Sequence, residues 1–155
     1  MKVLKRVTAS IVIAAALLMS SMTAFAGTQF SDNWRYNPDT FTWSYYENGV
    51  KATNAWVHDH GYWYLLDDKG EMTVGIVKSF GRYYYMDVWE GTGHYGRLMK
   101  TEDFESWENI VTEPSGPYEG AITEASLANM RQDSYYSYYI DTAKDVSGTR
   151  HIEAE

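Results

Sequence analysis

Ring-bearing side chains recur through the middle of this chain with a period of twenty residues. Trp43, Trp63 and Tyr83 form one column, Tyr36, Trp56 and Ile76 a second, and Tyr45, Leu65 and Tyr85 a third. Tyr46, Leu66 and Met86 follow, then Glu47, Asp67 and Asp87, while Phe41, Gly61 and Gly81 keep the same register. Such rings offer a definite chemistry. A quaternary ammonium has no proton to donate, so it is held by the negative π faces of several converging rings. A flat ring equally covers the apolar face of a sugar. The acidic balance of the chain favours a cation and opposes a polyanionic polymer.

Other residues have chemical side chains without a chemical pattern. His58 and His60 would share one strand face, but a closed zinc site wants four ligands and no third is near, so no metal is expected. Asp67-Asp68-Lys69-Gly70 has the wrong acidic spacing for a calcium loop and reads as a turn. Glycoside hydrolysis needs paired carboxylates in a cleft. The acids between Glu102 and Glu119 instead surround Pro114, Gly116 and Pro117, the marks of a linker. There is no G-x-S-x-G elbow, no phosphate loop and no cysteine. The expectation is a non-catalytic protein with no cofactor.

The elements that must position the rings are short hairpins. Ala55-Trp56-Val57-His58 is followed by a turn at Asp59-His60-Gly61, then by Tyr62-Trp63-Tyr64-Leu65-Leu66, with Gly70 turning the chain again. Aromatic and β-branched runs bounded by Gly and Asp are the strand signal. A lone hairpin is marginal, whereas stacked hairpins bury their faces against one another. The predicted fold is therefore mainly β: a short β-hairpin solenoid of about three repeats, with a small C-terminal segment containing one short helix. In the third unit Val88 to Gly93 form an insertion, after which Gly96 and Leu98 play the parts of Gly70 and Met72.

Trp56 to Met72 read WVHDHGYWYLLDDKGEM, and this stretch resembles a cell-wall-binding (choline-binding) repeat. The family pattern is Gly-Trp, a turn ending in Gly, Trp-Tyr-Tyr, a polar turn with Gly, then Met and Thr-Gly. Thr42 to Trp56 resembles the variant first unit of such proteins, and Gly75 to Met86 a further unit, so the likeness covers residues 34–100. The resemblance implies a left-handed hairpin solenoid whose neighbouring units form aromatic cages for choline on teichoic acids or related wall polymers. Trp56 stands at the Gly-Trp position, with Ala55 in place of Gly. Trp63 and Tyr64 stand in Trp-Tyr-Tyr, with Leu65 replacing the last ring. Tyr83-Tyr84-Tyr85 takes that part in the third unit, where Ile76 removes the Gly-Trp ring.

The best expected cage combines Trp56 and Trp63, closed by Tyr83 or Tyr85 with Met72 nearby. A second would combine Trp43 and Tyr45 with Tyr64. Two alternatives stay open: a wall or host glycan-binding module with no preference for choline, and a structural or adhesin-like accessory protein whose rings only pack.

Composition frames these expectations. The chain has 155 residues, 13 Lys and Arg against 21 Asp and Glu, fourteen Tyr and six Trp. That length suits one domain, and the net charge of −8 argues against nucleic acid. Lys2, Lys5 and Arg6 precede an apolar run from Val7 to Met19 and an Ala24-Phe25-Ala26 cleavage pattern, so residues 1–26 are expected to be a secretory signal. The run is too short to span a bilayer. The cleaved product would be secreted, associated with the cell wall and without a membrane anchor. Residues 101–119 are expected to be an acidic linker. In residues 120–155, Thr123 should cap a helix over 124–131, Tyr135 to Ile140 reads as strand-like, and Asp145 to Glu155 as a frayed end. The tail is also a candidate for weak homodimer contact.

Overall fold

A computed structural model describes residues 30–89, 93–148 and 150–154; the expected secretory signal lies outside the described residues. The repeat region forms three antiparallel hairpins. The first pairs β1 (Trp34–Asn37) with β2 (Thr42–Glu47), extended by β3 (Val50–Lys51). The second pairs β4 (Ala55–Asp59) with β5 (Tyr62–Leu66), and the third β6 (Gly75–Ser79) with β7 (Arg82–Met86). His60-Gly61 and Phe80-Gly81 turn the last two with positive φ at both positions, the conformation whose twist matches that of flanking strands.

The first connection, residues 38–41, is longer, and this shifts the register. Trp34 lies opposite Tyr45, as Trp56 lies opposite Leu65 and Ile76 opposite Tyr85. Trp34, not Tyr36, is therefore the structural counterpart of Trp56. Constant spacing in sequence conceals a turn that differs in length.

Alternation along each strand sends successive side chains to opposite faces, so the second hairpin packs against the first on one face and against the third on the other. Trp34, Trp43, Tyr45, Tyr64, Leu66 and Met72 share one buried cluster. Trp56, Leu65, Val77, Tyr84, Met86 and Leu98 share the next. A backbone bond repeats at each level: the amide of Met72 donates to the carbonyl of Trp43 at 2.8 Å, that of Leu98 to Trp63 at 2.7 Å, and that of Ile122 to Tyr83 at 2.7 Å. The mainly β class is as the sequence predicts, and the stacked hairpins are compatible with a solenoid.

The third cluster closes the stack with helices. Ile76, Ile110, Ile122, Leu127, Met130 and Ile140 form it, with Tyr83, Tyr85 and Tyr136 packed against them. Helix α1 (Glu124–Met130) begins where expected, the Thr123 hydroxyl accepting from the Ser126 amide. The aromatic run 135–140 is not a strand. It lies in a second helix, α2 (Ser134–Asp141), whose N-cap Asp133 accepts from the Tyr135 amide at 2.8 Å. Tyr136 and Ile140, one helical turn apart, reach the cluster, and that i, i+4 pair outweighs the strand propensity of consecutive tyrosines.

Residues 101–119 are packed rather than extended. A 3-10 turn covers Thr101–Asp103, Ile110 is buried, Thr101 and Thr112 exchange hydrogen bonds, and Thr112 bridges to Ile122. The C-terminal end is not frayed either. It runs back along the stack as β8 (Lys144–Asp145), parallel to β6, and β9 (Arg150–Glu153), parallel to β4. Unpaired strand edges invite such pairing. Val146 and Ile152 anchor it by entering the second and first clusters, each such burial being worth roughly 1.5–3 kcal/mol. Among the described residues no helix is long and apolar enough to cross a membrane.

Candidate functional site

Between the second and third hairpins, Trp56, Trp63 and Tyr84 line an open hollow of about 180 Å³. Its position follows from strand parity. Trp63 and Leu65 point from β5 toward the third hairpin, whereas Tyr64 points back toward the first. From β7, Tyr84 points back toward the second hairpin, while Tyr83 and Tyr85 point away from it. Trp56 and Tyr84 meet edge to face at 5.1 Å and 65°, a favourable arrangement for aromatic pairs. Trp63 is half-buried and keeps ring surface toward the opening.

Leu98 supplies the apolar floor, tied to Trp63 by its amide. The tail supplies a wall. His151 lies opposite Trp56 in the parallel pairing and 5.5 Å from the Trp63 ring. The backbone at Gly148 runs so close that a Cβ there would stand 2.7 Å from Trp56 Nε1. Pro117 and Glu119 close the remaining side, and the Glu119 carboxylate pairs with Lys100 at the rim. Burial pushes the Tyr84 phenol above its ordinary value, so it is neutral at physiological pH and presents an uncharged ring.

The expected site residues divide into three groups. Trp56 and Trp63 both line the hollow. Tyr83 and Tyr85 pack in the third cluster instead, where burial pushes Tyr85 up to about 12; the ring that meets the tryptophans is Tyr84. Trp43, Tyr45, Tyr64 and Met72 all lie in the first cluster, where the Met72 amide bonds the Trp43 carbonyl, whereas Trp56 belongs to the second. Parity along β7 is the signal that singles out Tyr84, and the Gly70–Gly96 equivalence already pointed to Leu98. Nothing local announces His151, because its place depends on strands paired across most of the chain. His58 and His60 bond separate carboxylates, Glu153 at 2.7 Å and Asp59 at 2.9 Å.

No protein-family model matches the chain, and no curated relative does. Solved structures do. Among the solved structures it is similar to are choline-binding proteins and endolysins. Choline binding protein F from Streptococcus pneumoniae is 22% identical over 60% of this chain and 28% of its own, with a TM-score of 0.45. The modular Cpl-1 endolysin, solved with a peptidoglycan analogue, is 29% identical over 43% of this chain and 18% of its own, with a TM-score of 0.36. The pneumococcal cell wall endolysin from phage Cp-1, solved with choline, is 22% identical over 47% of this chain and 25% of its own, with a TM-score of 0.33. The chain thus spans less than a third of the length of each.

Proposed function

We propose that this chain is an exported, non-catalytic attachment protein of a bacterial surface, which holds a quaternary ammonium such as wall-polymer choline between Trp56, Trp63 and Tyr84. The observation that carries this reading is the convergence of three rings from two successive hairpins on one small opening. Three faces around a methylated cation supply the attraction that hydrogen bonds cannot. Glu119 is engaged by Lys100, so ring faces rather than a free carboxylate provide the negative potential. The hollow is smaller than the roughly 300–1,000 Å³ of drug-sized pockets, which suits a trimethylammonium head or one sugar unit.

A second reading, stacking of a single sugar, is favoured by the polar rim of His151, Lys100 and Glu119. Titration with choline chloride, followed by tryptophan fluorescence, separates the two. The expected result is a saturable change that Trp63→Ala abolishes. A flat response to choline together with retention on a glycan array transfers the site to sugars; silence in both leaves a packing role. Export rests on the leader, and the mass of the secreted product should place its first residue at Gly27. A single open cage attaches weakly, so firm retention requires several linked copies, since avidity multiplies only joined sites.

A further inference from the structure

We infer that Phe30 is a built-in occupant of a second three-ring cage, and that withdrawing its ring frees that cage for the same class of cationic ligand. This inference rests on reading the Trp56 hollow as a cation cage. Strand pairing supplies the counterparts. Trp34 opposite Tyr45 repeats Trp56 opposite Leu65, and Trp43 opposite Tyr36 repeats Trp63 opposite His58. Tyr64 faces the first hairpin as Tyr84 faces the second.

The two sets agree in geometry. Trp34 meets Tyr64 edge to face at 5.2 Å and 69°, and Trp56 meets Tyr84 at 5.1 Å and 65°. Each has its apolar floor residue, Met72 or Leu98, hydrogen-bonded to the carbonyl of the second tryptophan. The difference is what lies among the rings. The Phe30 ring is 4.9 Å from Trp34, 4.7 Å from Trp43 and 5.3 Å from Tyr64. All three distances fall within the roughly 6 Å at which a cation is attracted by a ring. Phe30 therefore sits within ring-contact distance of three aromatic side chains at once, where an ammonium would lie close to all three.

Phe30 also differs from the rings around it in how it is held. It precedes β1 and belongs to no strand. Beside it, the Ser31 amide donates to Asp59 Oδ2 at 2.8 Å, and the same oxygen accepts from Trp34 Nε1 at 2.8 Å. The cage wall is thus fixed by Asp59 independently of the Phe30 side chain, so the cage persists when that side chain is shortened.

Calorimetric titration of the full chain with choline chloride tests the inference. The expected stoichiometry is one per chain for the natural sequence and two for Phe30→Ala, with one remaining in Phe30→Ala combined with Trp63→Ala. One per chain in both the natural protein and Phe30→Ala overturns the inference and leaves the open cage standing. No binding to the natural protein with one site in Phe30→Ala overturns the reading of the Trp56 hollow and supports the latent cage. No binding to either overturns both. Should Phe30→Ala unfold without ligand, recovery of its near-ultraviolet circular dichroism on adding choline supports the inference, because a ligand that binds only the folded state draws the chain into it. A chain that stays unfolded at saturating choline overturns it.

Discussion

Trp34 and Trp56 occupy the same place in successive hairpins, each in a T-shaped contact with the tyrosine at the centre of the second strand of the hairpin that follows, at 5.2 Å and 5.1 Å. One of them borders an opening and the other is covered by Phe30. The repeat therefore builds the same ring geometry twice and exposes it once.

Parity along β7 separates neighbouring tyrosines by function. Tyr84→Leu should weaken choline binding about tenfold or more, since a desolvated cation–π contact is worth up to about 2 kcal/mol. Tyr85→Leu should leave the affinity within about twofold, because that ring packs with Phe104 and Tyr136. Fluorescence titration of both variants checks this; equal losses in two folded variants would refute the assignment.

The returning tail is fastened by Lys144, which bonds Asp67 and lies 3.7 Å from Asp68. Burial pushes the Asp67 carboxyl up, but the bond from Lys144 and the amides of Glu71 and Lys69 outweigh it and hold the group below 3.8. Asp67 raises Lys144 above 10.5. A carboxyl lowered by folding stabilises above its unfolded value and loses that contribution as pH falls through the folded one; a raised lysine stabilises below its unfolded value and loses it as pH rises. The stability gap between the natural chain and Lys144→Met should thus be widest between pH 3.8 and 10.5 and close at both extremes. Thermal midpoints measured across pH decide it; a gap that persists in acid counts against the pair.

Gly70 and Gly61 form a matched comparison. Both have φ in the left-handed region, +74° and +85°, but a Cβ at Gly70 would stand 2.5 Å from the Ala52 carbonyl oxygen while one at Gly61 meets nothing within 4 Å. Gly61→Ala should cost about 1–2 kcal/mol, the conformational penalty alone. Gly70→Ala should cost measurably more, because backbone must move. Denaturant midpoints at constant slope provide the measurement, and equal costs would contradict it.

Ile152 anchors β9 in the first cluster while its neighbour His151 lines the open hollow. Ile152→Ala should destabilise by about 2 kcal/mol or more and reduce hydrogen-exchange protection in β4 before that in β7. Unchanged protection in β4 would show that the parallel pairing contributes nothing to the second hairpin.

The sequence by itself determined the hairpins, the ring period and the Trp56–Trp63 pair, because these depend on neighbours in the chain: turn glycines, strand alternation and a twenty-residue register. It also located the helix capped by Thr123. Which tyrosine meets those tryptophans depended on how faces stack, and the longer first turn placed Tyr36 rather than Trp34 in the sequence column of Trp56. The helix over Tyr135 to Ile140 was hidden by strand propensity, since its buried side is rewarded only by the cluster that Ile140 and Tyr136 join. The packing of Ile110, the return of the tail and the filling of one cage by Phe30 were decided by tertiary structure alone. Each is a contact between segments far apart in the chain, whose energy exists only once the hairpins have stacked and presented an edge or a gap.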